Sequence, residues 1–456
     1  MSKIVVKFGG SNLKIKEDIL KLIRVLKCYN APVVIVVSAL YGITDILVKA
    51  IRKVKEDENA INSAMETLFE AHHVIINQYI DDPGNKQKTL KKIKKRVSEL
   101  NKYLLGVHYL GEVPDFAEDM VLSYGERLSS LLLESVLQYM NIDCEEILPE
   151  EIGLVTDGEY GNATVNFALS EESVKEHLSG SKIYIVPGFY GISPDSKVTL
   201  FGRGGSDYSA AAIARCIGAS ALDIWKDVPG FMSADPRIVD NPVAINRLSY
   251  REAAELSYFG ARILHPRTVE PLMDKKIPIR MFDINKFSDQ LQPLTIIDDK
   301  GVVNKDVMKS VTYSDDFGIL KLIGPGVGIK PGIMAKVTTS LSEARINIKS
   351  IITAQTCINI LLSRDDLKKS YDIAKGTGLT AVDKMICLER ISLIAVVGEG
   401  MLEKSGIAAR IFSAVSYRKI NVQIISAGAS SVATYFIIDR EDRVRAVKAI
   451  HEEFFG

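Results

Sequence analysis

No charge of one sign dominates this sequence. Among its 456 residues, lysine plus arginine and aspartate plus glutamate each number 57, which leaves a formal net charge of zero. A surface that binds nucleic acid or an anionic membrane needs a field of one sign. We therefore expect neither partner, and a small-molecule substrate is the better interpretation.

Cysteine is scarce and long apolar runs are missing. The five cysteines are scattered and never form a Cys-x-x-Cys pair, which argues against a disulfide framework or a zinc site and favours a reducing compartment. The longest apolar runs reach about ten residues, half of a membrane span. The N-terminus also lacks the charged, apolar and cleavage regions of a signal peptide. The sequence predicts a soluble, cytoplasmic protein.

The commonest nucleotide-binding motifs are absent as well. No Gly-x-x-x-x-Gly-Lys-Ser/Thr occurs, and the pair Gly398 and Gly400 lacks the third glycine of a dinucleotide fingerprint. Neither a Walker loop nor a dinucleotide-binding fingerprint is therefore predicted.

A strand–loop–helix–strand pattern opens the chain. Residues 3–8 form an apolar run, a glycine pair follows, residues 19–26 have the apolar spacing of a helix, and residues 32–38 form a second apolar run. This order is typical of a βαβ unit and predicts an α/β domain with a mostly parallel sheet. The active loops should lie at the carboxyl ends of the strands.

The α/β domain should extend over residues 1–300. At 456 residues and 47% apolar content, the chain exceeds the size of one hydrophobic core, so two or three domains are expected. Helical spacing runs from about residue 44 to 140, and the predicted breaks and later strands fall in the following ranges: breaks at 81–84 and 106–114, strands at 183–187, 221–225 and 277–282.

An internal repeat follows this domain. The segment that begins Gly332-Ile-Met-Ala-Lys-Val recurs as Gly406-Ile-Ala-Ala-Arg-Ile, with Ile-Asn-Ile matched by Ile-Asn-Val further on. Each copy has the βαββ beginning of a small ferredoxin-like (βαββαβ) module. We predict the modules at 315–385 and 386–456, with 301–314 as a linker or as a strand of the second module. A tandem repeat of this kind suggests regulation.

Lys7-Phe8-Gly9-Gly10-Ser11 lies where a strand ends and a helix begins. Two glycines let the backbone approach a ligand, the helix start offers unpaired N–H groups, and Lys7 adds a positive charge. These are the requirements of a phosphate cradle. The alternative is a tight turn without a ligand.

The stretch from Gly202 to Ser209 carries three glycines, a guanidinium, a hydroxyl and a carboxylate directly before an alanine-rich helix. Arg203 suits a carboxylate, Ser206 and the helix start suit anionic oxygens, and Asp207 suits the orientation of a reacting group. Alternatively, Ser206 or Asp207 caps the helix.

Two further segments carry charges in suggestive positions. Glu126 lies near the predicted start of a helix at Ser123, where it could accept from an ammonium group or merely satisfy the helix dipole. A strand-end loop from Lys226 to Arg237 carries two cations, for which solvated turn charges are the alternative.

Taken together and in order, these segments resemble the successive signatures of aspartate kinases over nearly the whole chain. The matching segments are Lys-Phe-Gly-Gly at 7–10, Ser-x-Gly-Glu at 123–126, Gly-Arg-Gly-Gly-Ser-Asp-Tyr-Ser at 202–209, Asp-Val-Pro-Gly and Ala-Asp-Pro-Arg within 227–237, and Phe-Gly-Ala-Arg-Ile-Leu-His-Pro at 259–266. The repeat resembles the tandem ACT domains of that family. The resemblance implies an amino-acid-kinase fold and the phosphorylation of the side chain of L-aspartate by ATP. Mg²⁺ would be carried by the nucleotide, and no metal would be held by protein ligands alone. The resemblance also implies feedback control of lysine, threonine and methionine biosynthesis.

The resemblance also assigns roles to individual residues. The catalytic residues would be Lys7, Asp207 and Arg203. Aspartate would be bound by Thr44, Glu126, Arg203, Gly204, Gly205 and Ser206. ATP would be bound by Lys7, Phe8, Gly9, Gly10, Ser11, Lys226, Asp227, Met232, Arg237, Arg262 and Ile263. Because the acceptor carboxylate is already an anion, positioning and charge neutralisation should suffice for catalysis.

Departures from the family pattern concern the nucleotide pocket. Ser11-Asn12 replaces Thr-Ser, Met232 often replaces a tyrosine, and Arg262 often replaces a lysine. The first change keeps a hydroxyl, the second removes an aromatic wall, and the third alters the geometry of a charge.

The first repeat is the expected effector site, because it has Gln355 and Asn359 where equal spacing places Ala429 and Ala433 in the second. By resemblance, a free amino acid (threonine, lysine or methionine) would bind at a contact between two first copies in a homo-oligomer, against Ile333, Met334, Ile348, Lys349, Ala354 and Gln355. The charge of Lys349 would disfavour lysine. The alternative is a repeat that only mediates dimerisation.

Two rival functions stay open at the level of sequence. One is another amino-acid kinase of the same fold, such as a glutamate or acetylglutamate kinase. The other is an inactive amino-acid sensor, although Lys7, Glu126, Arg203 and Asp207 would then have no purpose. Because no homoserine dehydrogenase region follows the repeat, we expect a monofunctional kinase.

Overall fold

A computed structural model describes residues 2–10, 16–261, 263–301 and 307–456. The predictions for Ser11 and Arg262 lie outside these residues. The chain divides into two compact units, the first made of Met1–Phe231, Ala244–Ser257 and Arg262–Val302, and the second of Met232–Val243, Tyr258–Ala261 and Val303–Gly456. Within the described ranges, no helix has the length and apolar character that crossing a membrane requires.

Up to residue 301 the described chain combines strands and helices. The strands are β1 (Ile4–Phe8), β2 (Val33–Val37), β3 (Cys144–Glu146), β4 (Ile183–Pro187), β5 (Tyr190–Ile192), β6 (Val198–Leu200), β7 (Ala221–Lys226), β8 (Arg247–Ser249), β9 (Ile279–Asp283) and β10 (Thr295–Asp298). The helices are α1 (Lys16–Lys27), α2 (Ile43–Lys53), α3 (Asn59–Tyr79), α4 (Pro83–Leu110), α5 (Asp115–Tyr139), α6 (Phe167–His177), α7 (Gly205–Ile217), α8 (Tyr250–Tyr258) and α9 (Pro266–Met273).

Eight of these strands form one sheet in the order β3-β4-β2-β1-β7-β9-β10-β8, and only the β9–β10 pair is antiparallel. β2 has the sequence Val-Val-Ile-Val-Val and all five residues are buried. A continuous β-branched run of this kind is typical of a parallel strand covered on both faces. The predicted α/β class with a mostly parallel sheet is confirmed.

The helical region between residues 44 and 140 differs from its prediction in detail. The predicted break at 81–84 falls where α4 begins: Asp82 caps the helix by accepting from the backbone N–H of Asn85 at 2.8 Å, and Pro83 takes the first helical position. The predicted start of the second break at Gly106 is wrong. α4 continues through Gly106 and ends before Gly111, which has a left-handed φ of 71°.

After residue 307, the second unit contains two four-stranded antiparallel sheets. Its strands are β11 (Ser310–Ser314), β12 (Phe317–Ile323), β13 (Ile348–Ala354), β14 (Cys357–Ser363), β15 (Lys384–Leu388), β16 (Ile391–Val397), β17 (Val422–Ser426) and β18 (Ala433–Asp439). Its helices are α10 (Ile333–Glu343), α11 (Leu367–Gly376), α12 (Ile407–Tyr417) and α13 (Arg443–Phe455).

The two sheets obtain their fourth strand differently. The first has the order β13-β14-β12-β15, and the second has the order β11-β16-β18-β17. β11 precedes the first module in the chain but pairs with β16 of the second. The first module is thus inserted between two neighbouring strands of the second, and the boundary expected after residue 385 falls within β15 of the first sheet.

The two repeats match closely at their start and then lose equal spacing. Gly332 and Gly406 each stand directly before a helix and have left-handed φ values of 86° and 85°. β13 and β14 are joined by two residues, whereas β17 and β18 are joined by residues 427–432. In the sheets, Asn359 lies opposite Ile352 and Tyr435 lies opposite Ser426. The counterpart of Asn359 is therefore Tyr435, and the pairing with Ala433 was wrong.

Candidate active site

Two lysines end neighbouring parallel strands at one edge of the sheet. Lys7 lies one residue before the end of β1, and Lys226 is the last residue of β7. The strands pair in parallel, with Phe8 opposite Trp225. Because the carboxyl ends of parallel strands meet at one edge, both ammonium groups come to the side where ligands bind in open α/β sheets.

Asp207 pairs with both ammonium groups. Its Oδ1 lies 2.5 Å from Nζ of Lys7, and its Oδ2 lies 3.0 Å from Nζ of Lys226. Asp207 stands in the first turn of α7, and it and Lys7 are only 6% and 5% exposed. The cluster holds two positive groups and one negative group, so it favours an anion at the adjacent helix start.

Burial and neighbouring charges set the ionisation of the cluster. Burial alone would raise the pKa of the Asp207 carboxyl, but Lys226 and Lys7 outweigh burial and hold this pKa well below its ordinary value. Burial lowers the pKa of Lys7, and attraction to Asp207 opposes that shift. Asp207 is therefore an anion at neutral pH.

Glu126 lies in the middle of a helix and not near its start. The prediction that a helix begins near Ser123 is wrong, because α5 begins at Asp115 and is buried around Glu126. Glu126 therefore does not serve the dipole at a helix N-terminus. Instead, its Oε1 accepts a hydrogen bond from Oγ of Ser206 at 3.4 Å.

The second carboxyl oxygen of Glu126 is buried without a partner. Glu126 is 4% exposed, and its Oε2 accepts no hydrogen bond from any residue that the structure describes. Burial raises the pKa of the carboxyl to about 8. A buried acceptor left unpaired costs free energy, so the position favours a cationic hydrogen-bond donor.

Arg203 stands between two glycines in the left-handed region. The φ values of Gly202 and Gly204 are 73° and 75°, which side chains rarely adopt. Arg203 is exposed, and no described residue forms an ion pair or hydrogen bond with its guanidinium. Gly204 is the N-cap of α7 and no side chain caps the helix, so the alternative that Ser206 or Asp207 is a helix cap is wrong.

The glycine pair after β1 lies close to the loop after β2. A Cβ at Gly10 would lie 2.7 Å from the carbonyl oxygen of Ala39, so only glycine fits there. A Cβ at Gly125 would lie 2.9 Å from the Cβ of Ala39. Ala39 thus packs between the glycine pair and the α5 residue next to Glu126. Thr44 is the second residue of α2, the helix that follows the same loop.

The residues expected around ATP do not all lie in the first unit. Ile263 does, and its carbonyl oxygen accepts a hydrogen bond from Nζ of Lys226. Asp227 is exposed at the end of β7. Met232 and Arg237 belong to the second unit, where Arg237 forms an ion pair with Asp235 at 2.6 Å.

The residues expected around an effector lie at two ends of one module. β12 and β13 both pair antiparallel with β14. Ala354 and Gln355 therefore lie at the end of the sheet where β12 leads to α10, which begins with Ile333 and Met334. Ile348 and Lys349 lie at the other end of β13, and Lys349 Nζ is 5.2 Å from the ring centroid of Tyr258.

Sequence reasoning missed two side chains that hold the loops of this site. Asp119 accepts from the backbone N–H groups of Leu200 at 2.8 Å and Gly161 at 2.9 Å. Arg267 donates to the carbonyl oxygen of Phe201 at 3.0 Å. No pattern marked Asp119 among the acids at the start of α5, whereas Arg267 directly follows the His265-Pro266 signature.

Comparisons with known proteins agree with this fold. The model of the amino acid kinase family matches residues 2–283, and two ACT domain models match residues 312–373 and 394–454. The chain therefore belongs to the amino acid kinase family and carries two ACT domains.

No cluster of three or more histidine, cysteine, aspartate or glutamate residues that could hold a metal occurs in the described part of the chain.

One relative and two solved structures define the resemblance further. The chain is 31% identical over 470 residues to a bifunctional aspartokinase/homoserine dehydrogenase of Buchnera aphidicola, covering 99% of this chain and 56% of the relative. It matches Clostridium acetobutylicum aspartate kinase with a TM-score of 0.80 and 27% identity, covering 99% and 100% of the two chains. It matches the fold of E. coli aspartokinase III, solved with aspartate and ADP, with a TM-score of 0.85 and 23% identity, covering 99% and 100%.

The resemblance to aspartate kinases, expected from the motifs, is confirmed by these matches. The chain spans about half the length of the first curated relatives that it matches.

Proposed function

We propose that this chain is an aspartate kinase that transfers the γ-phosphate of ATP to the side-chain carboxylate of L-aspartate, giving 4-phospho-L-aspartate. The observation that carries the proposal is the convergence of the Lys7–Asp207–Lys226 cluster and the buried Glu126 around the first turn of α7. The lysine cluster favours a phosphate, and Glu126 favours an ammonium group. Aspartate kinases among the similar proteins support the same function.

Several side chains would select aspartate. Glu126 accepts the substrate ammonium group, because its buried Oε2 lacks a donor among the described residues. Arg203 takes the α-carboxylate in a bidentate pair. Ser206 Oγ lies beside Glu126, so it orients the bound amino acid, together with Thr44, Gly204 and Gly205, which are assigned to the substrate by resemblance.

The phosphates of ATP would lie against the two lysines and the loop after β1. Lys7 neutralises the transferred group, and Lys226 neutralises the neighbouring phosphate. Only glycine fits at position 10, since a Cβ there would strike Ala39, and Gly9 and Gly10 are assigned to the phosphates by resemblance. Asp207 keeps both ammonium groups in place and takes no proton, because the acceptor carboxylate is already ionised.

The residues present fit a nucleotide that brings its own Mg²⁺. The Asp207 carboxylate is occupied by two ammonium groups and is not offered to a metal. Bound to the phosphates, Mg²⁺ would supply further charge neutralisation. The remaining nucleotide contacts are assigned by resemblance to Phe8, Ser11, Asp227, Met232, Arg237, Arg262 and Ile263.

The first ACT module would bind a free amino acid that inhibits the kinase as an end product of lysine, threonine or methionine biosynthesis. Ile333, Met334, Ala354 and Gln355 lie at one end of the module, and Ile348 and Lys349 lie at the other. Because β13 spans seven residues, roughly 20 Å separates its ends. A second copy of the chain in a homo-oligomer would therefore complete the effector site.

The test is ATP consumption by the purified protein with Mg²⁺ and L-aspartate, with hydroxylamine present to trap the acyl phosphate as a hydroxamate. L-Glutamate serves as the competing substrate, and Lys7→Ala serves as the variant without the phosphate cation. We expect hydroxamate with aspartate, none with glutamate and almost none with Lys7→Ala. Folded protein that forms no hydroxamate with either substrate would refute the proposal and favour an amino-acid sensor.

A further inference from the structure

Arg203 has no support of its own in the described structure. Its side chain is exposed, and it projects from a loop in which Gly202 and Gly204 both have left-handed φ. A guanidinium on such a loop recognises a carboxylate well only if the loop backbone is held in place. Among the described residues, a second guanidinium helps to hold this loop from outside it.

That side chain is Arg267, the second residue of α9. Its Nη1 donates to the carbonyl oxygen of Phe201 at 3.0 Å, directly before Gly202, and to Oδ1 of Asn162 at 3.0 Å. Its Nη2 donates to the carbonyl oxygen of Ala163 at 2.6 Å and to Oγ1 of Thr164 at 3.1 Å. One planar guanidinium thus joins the strand end before the glycine loop to a neighbouring loop.

Arg267 also contacts the helix that follows the glycine loop. Its guanidinium carbon lies 4.6 Å from the centroid of the Tyr208 ring, within cation–π range. Tyr208 is adjacent to Asp207 and accepts a hydrogen bond from the backbone N–H of Val165 at 3.1 Å. Both ends of the glycine loop are therefore tied to the same arginine.

The residues just before Arg267 confine the loop from the same side. A Cβ at Gly204 would overlap the side chain of His265, and a Cβ at Gly202 would lie 2.7 Å from the carbonyl oxygen of Gly161. The backbone on either side of Arg203 is thus packed against two segments: Arg267 bonds to Asn162, next to Gly161 in one, and belongs to the other, two residues after His265.

We propose that Arg267 is a positioning residue that fixes the Gly202–Gly204 loop, so that Arg203 is aimed at the α-carboxylate of the substrate. This inference rests on the proposed function. The four acceptors of Arg267 are neutral oxygens of the protein, so it acts through geometry. Lysine would keep the charge but would lose the planar fork that reaches four acceptors at once.

The test compares Arg267→Lys with Arg215→Lys. Arg215 joins the same helices, α7 and α9, through Pro271 and Asp274, and lies 4.2 Å from the Phe167 ring centroid. It is thus a matched cation–π arginine at the other end of α7. Both variants should lose some thermal stability. Only Arg267→Lys should raise KM for aspartate, by about tenfold or more, and leave KM for ATP unchanged.

A second variant and a second readout keep the outcomes separate. Arg267→Ala should raise KM for aspartate further than Arg267→Lys does. Hydrogen exchange at residues 201–205 should be faster in Arg267→Lys than in the unaltered chain or in Arg215→Lys. An active enzyme whose Arg267→Lys variant keeps its KM for aspartate overturns this proposal alone. If the unaltered chain does not phosphorylate aspartate, the proposed function fails. In that case, equal hydrogen exchange at residues 201–205 in the unaltered chain, Arg267→Lys and Arg215→Lys overturns the positioning role.

Discussion

The Nζ of Lys7 lies 2.5 Å from Oδ1 of Asp207, and both side chains are almost completely buried. Lys226 pairs with the other oxygen of the same carboxylate. A buried ion pair adds little net stability, because desolvation offsets the attraction. Here one carboxylate faces two ammonium groups, so the cluster keeps a positive charge that an anion would neutralise.

Removal of the shared carboxylate should be severe. In Asp207→Asn, the buried ammonium group of Lys7 and the half-buried one of Lys226 would face each other without a counter-charge, so we expect the variant to lose about 3–5 kcal/mol of unfolding free energy and most of its turnover. Urea unfolding and the hydroxamate assay measure the two effects. Asp289→Asn, which breaks an exposed pair with Arg24, is the control and should change neither. Normal turnover by Asp207→Asn would exclude the proposed role of the cluster.

Binding of aspartate should release a proton from Glu126. With a pKa of about 8, the carboxyl is mostly protonated at pH 7, and the substrate ammonium group favours the ionised form. Most of one proton per site should therefore leave at pH 7, and affinity for aspartate should rise as pH increases towards 8. Calorimetric titrations in phosphate and in Tris measure the release as a difference in apparent enthalpy.

Matched variants assign the proton to its residue. Glu126→Gln should bind aspartate weakly and show no pH dependence between 6 and 8 from this group. Glu150 pairs with Arg127, which lies next to Glu126 on α5. The Glu150→Gln variant should release the proton as the unaltered chain does. Equal enthalpies for the unaltered chain in the two buffers would contradict the role of Glu126.

Arg203 should control the use of aspartate more than the use of ATP. Arg203→Lys keeps the charge but loses the bidentate pair, so KM for aspartate should rise by about tenfold to a hundredfold. KM for ATP should stay unchanged. Steady-state kinetics with each substrate varied in turn measure both constants. A parallel rise in both values would count against a specific contact with the α-carboxylate.

Gln355 should affect feedback and not catalysis. It lies in the two-residue connection between β13 and β14 and is exposed, so Gln355→Ala should weaken inhibition by the effector amino acid while uninhibited turnover stays normal. Inhibition curves with threonine, lysine and methionine provide the measurement. Ser431→Ala, in the longer connection of the second repeat, is the control. Unchanged curves for Gln355→Ala would remove this residue from the effector site.

Much of the fold follows from local patterns in the sequence. The apolar runs at 3–8 and 32–38 become β1 and β2 because β-branched residues in series suit a strand buried on both faces. The repeated segments become two similar modules, and in each the glycine, Gly332 or Gly406, has a left-handed φ directly before the helix. These features depend on neighbours along the chain, so a single sequence contains them.

Other features depend on contacts between distant segments. The place of Glu126 in the middle of α5 was mispredicted: the acids Asp115 and Glu118 mark the start of the helix, the Ser123 motif does not, and the burial of Glu126 comes from packing. The pairing of β11 with β16 joins strands on either side of the first module. The counterpart of Asn359 is Tyr435 and not Ala433 because the strand pairing of the second repeat is shifted by two residues. A shift of two residues keeps each side chain on the same face of the sheet, since side chains alternate between faces along a strand.

The chemistry of the candidate site divides in the same way. The sequence by itself determined which groups are available, since Lys7, Glu126, Arg203 and Asp207 stand in recognisable motifs. Only the tertiary structure decided that Asp207 is shared between two lysines, that one oxygen of Glu126 is buried without a donor among the described residues, and that Arg267 ties the loop of Arg203. Ion pairing, burial and hydrogen bonding are properties of distances in space, and the linear order of residues does not contain those distances.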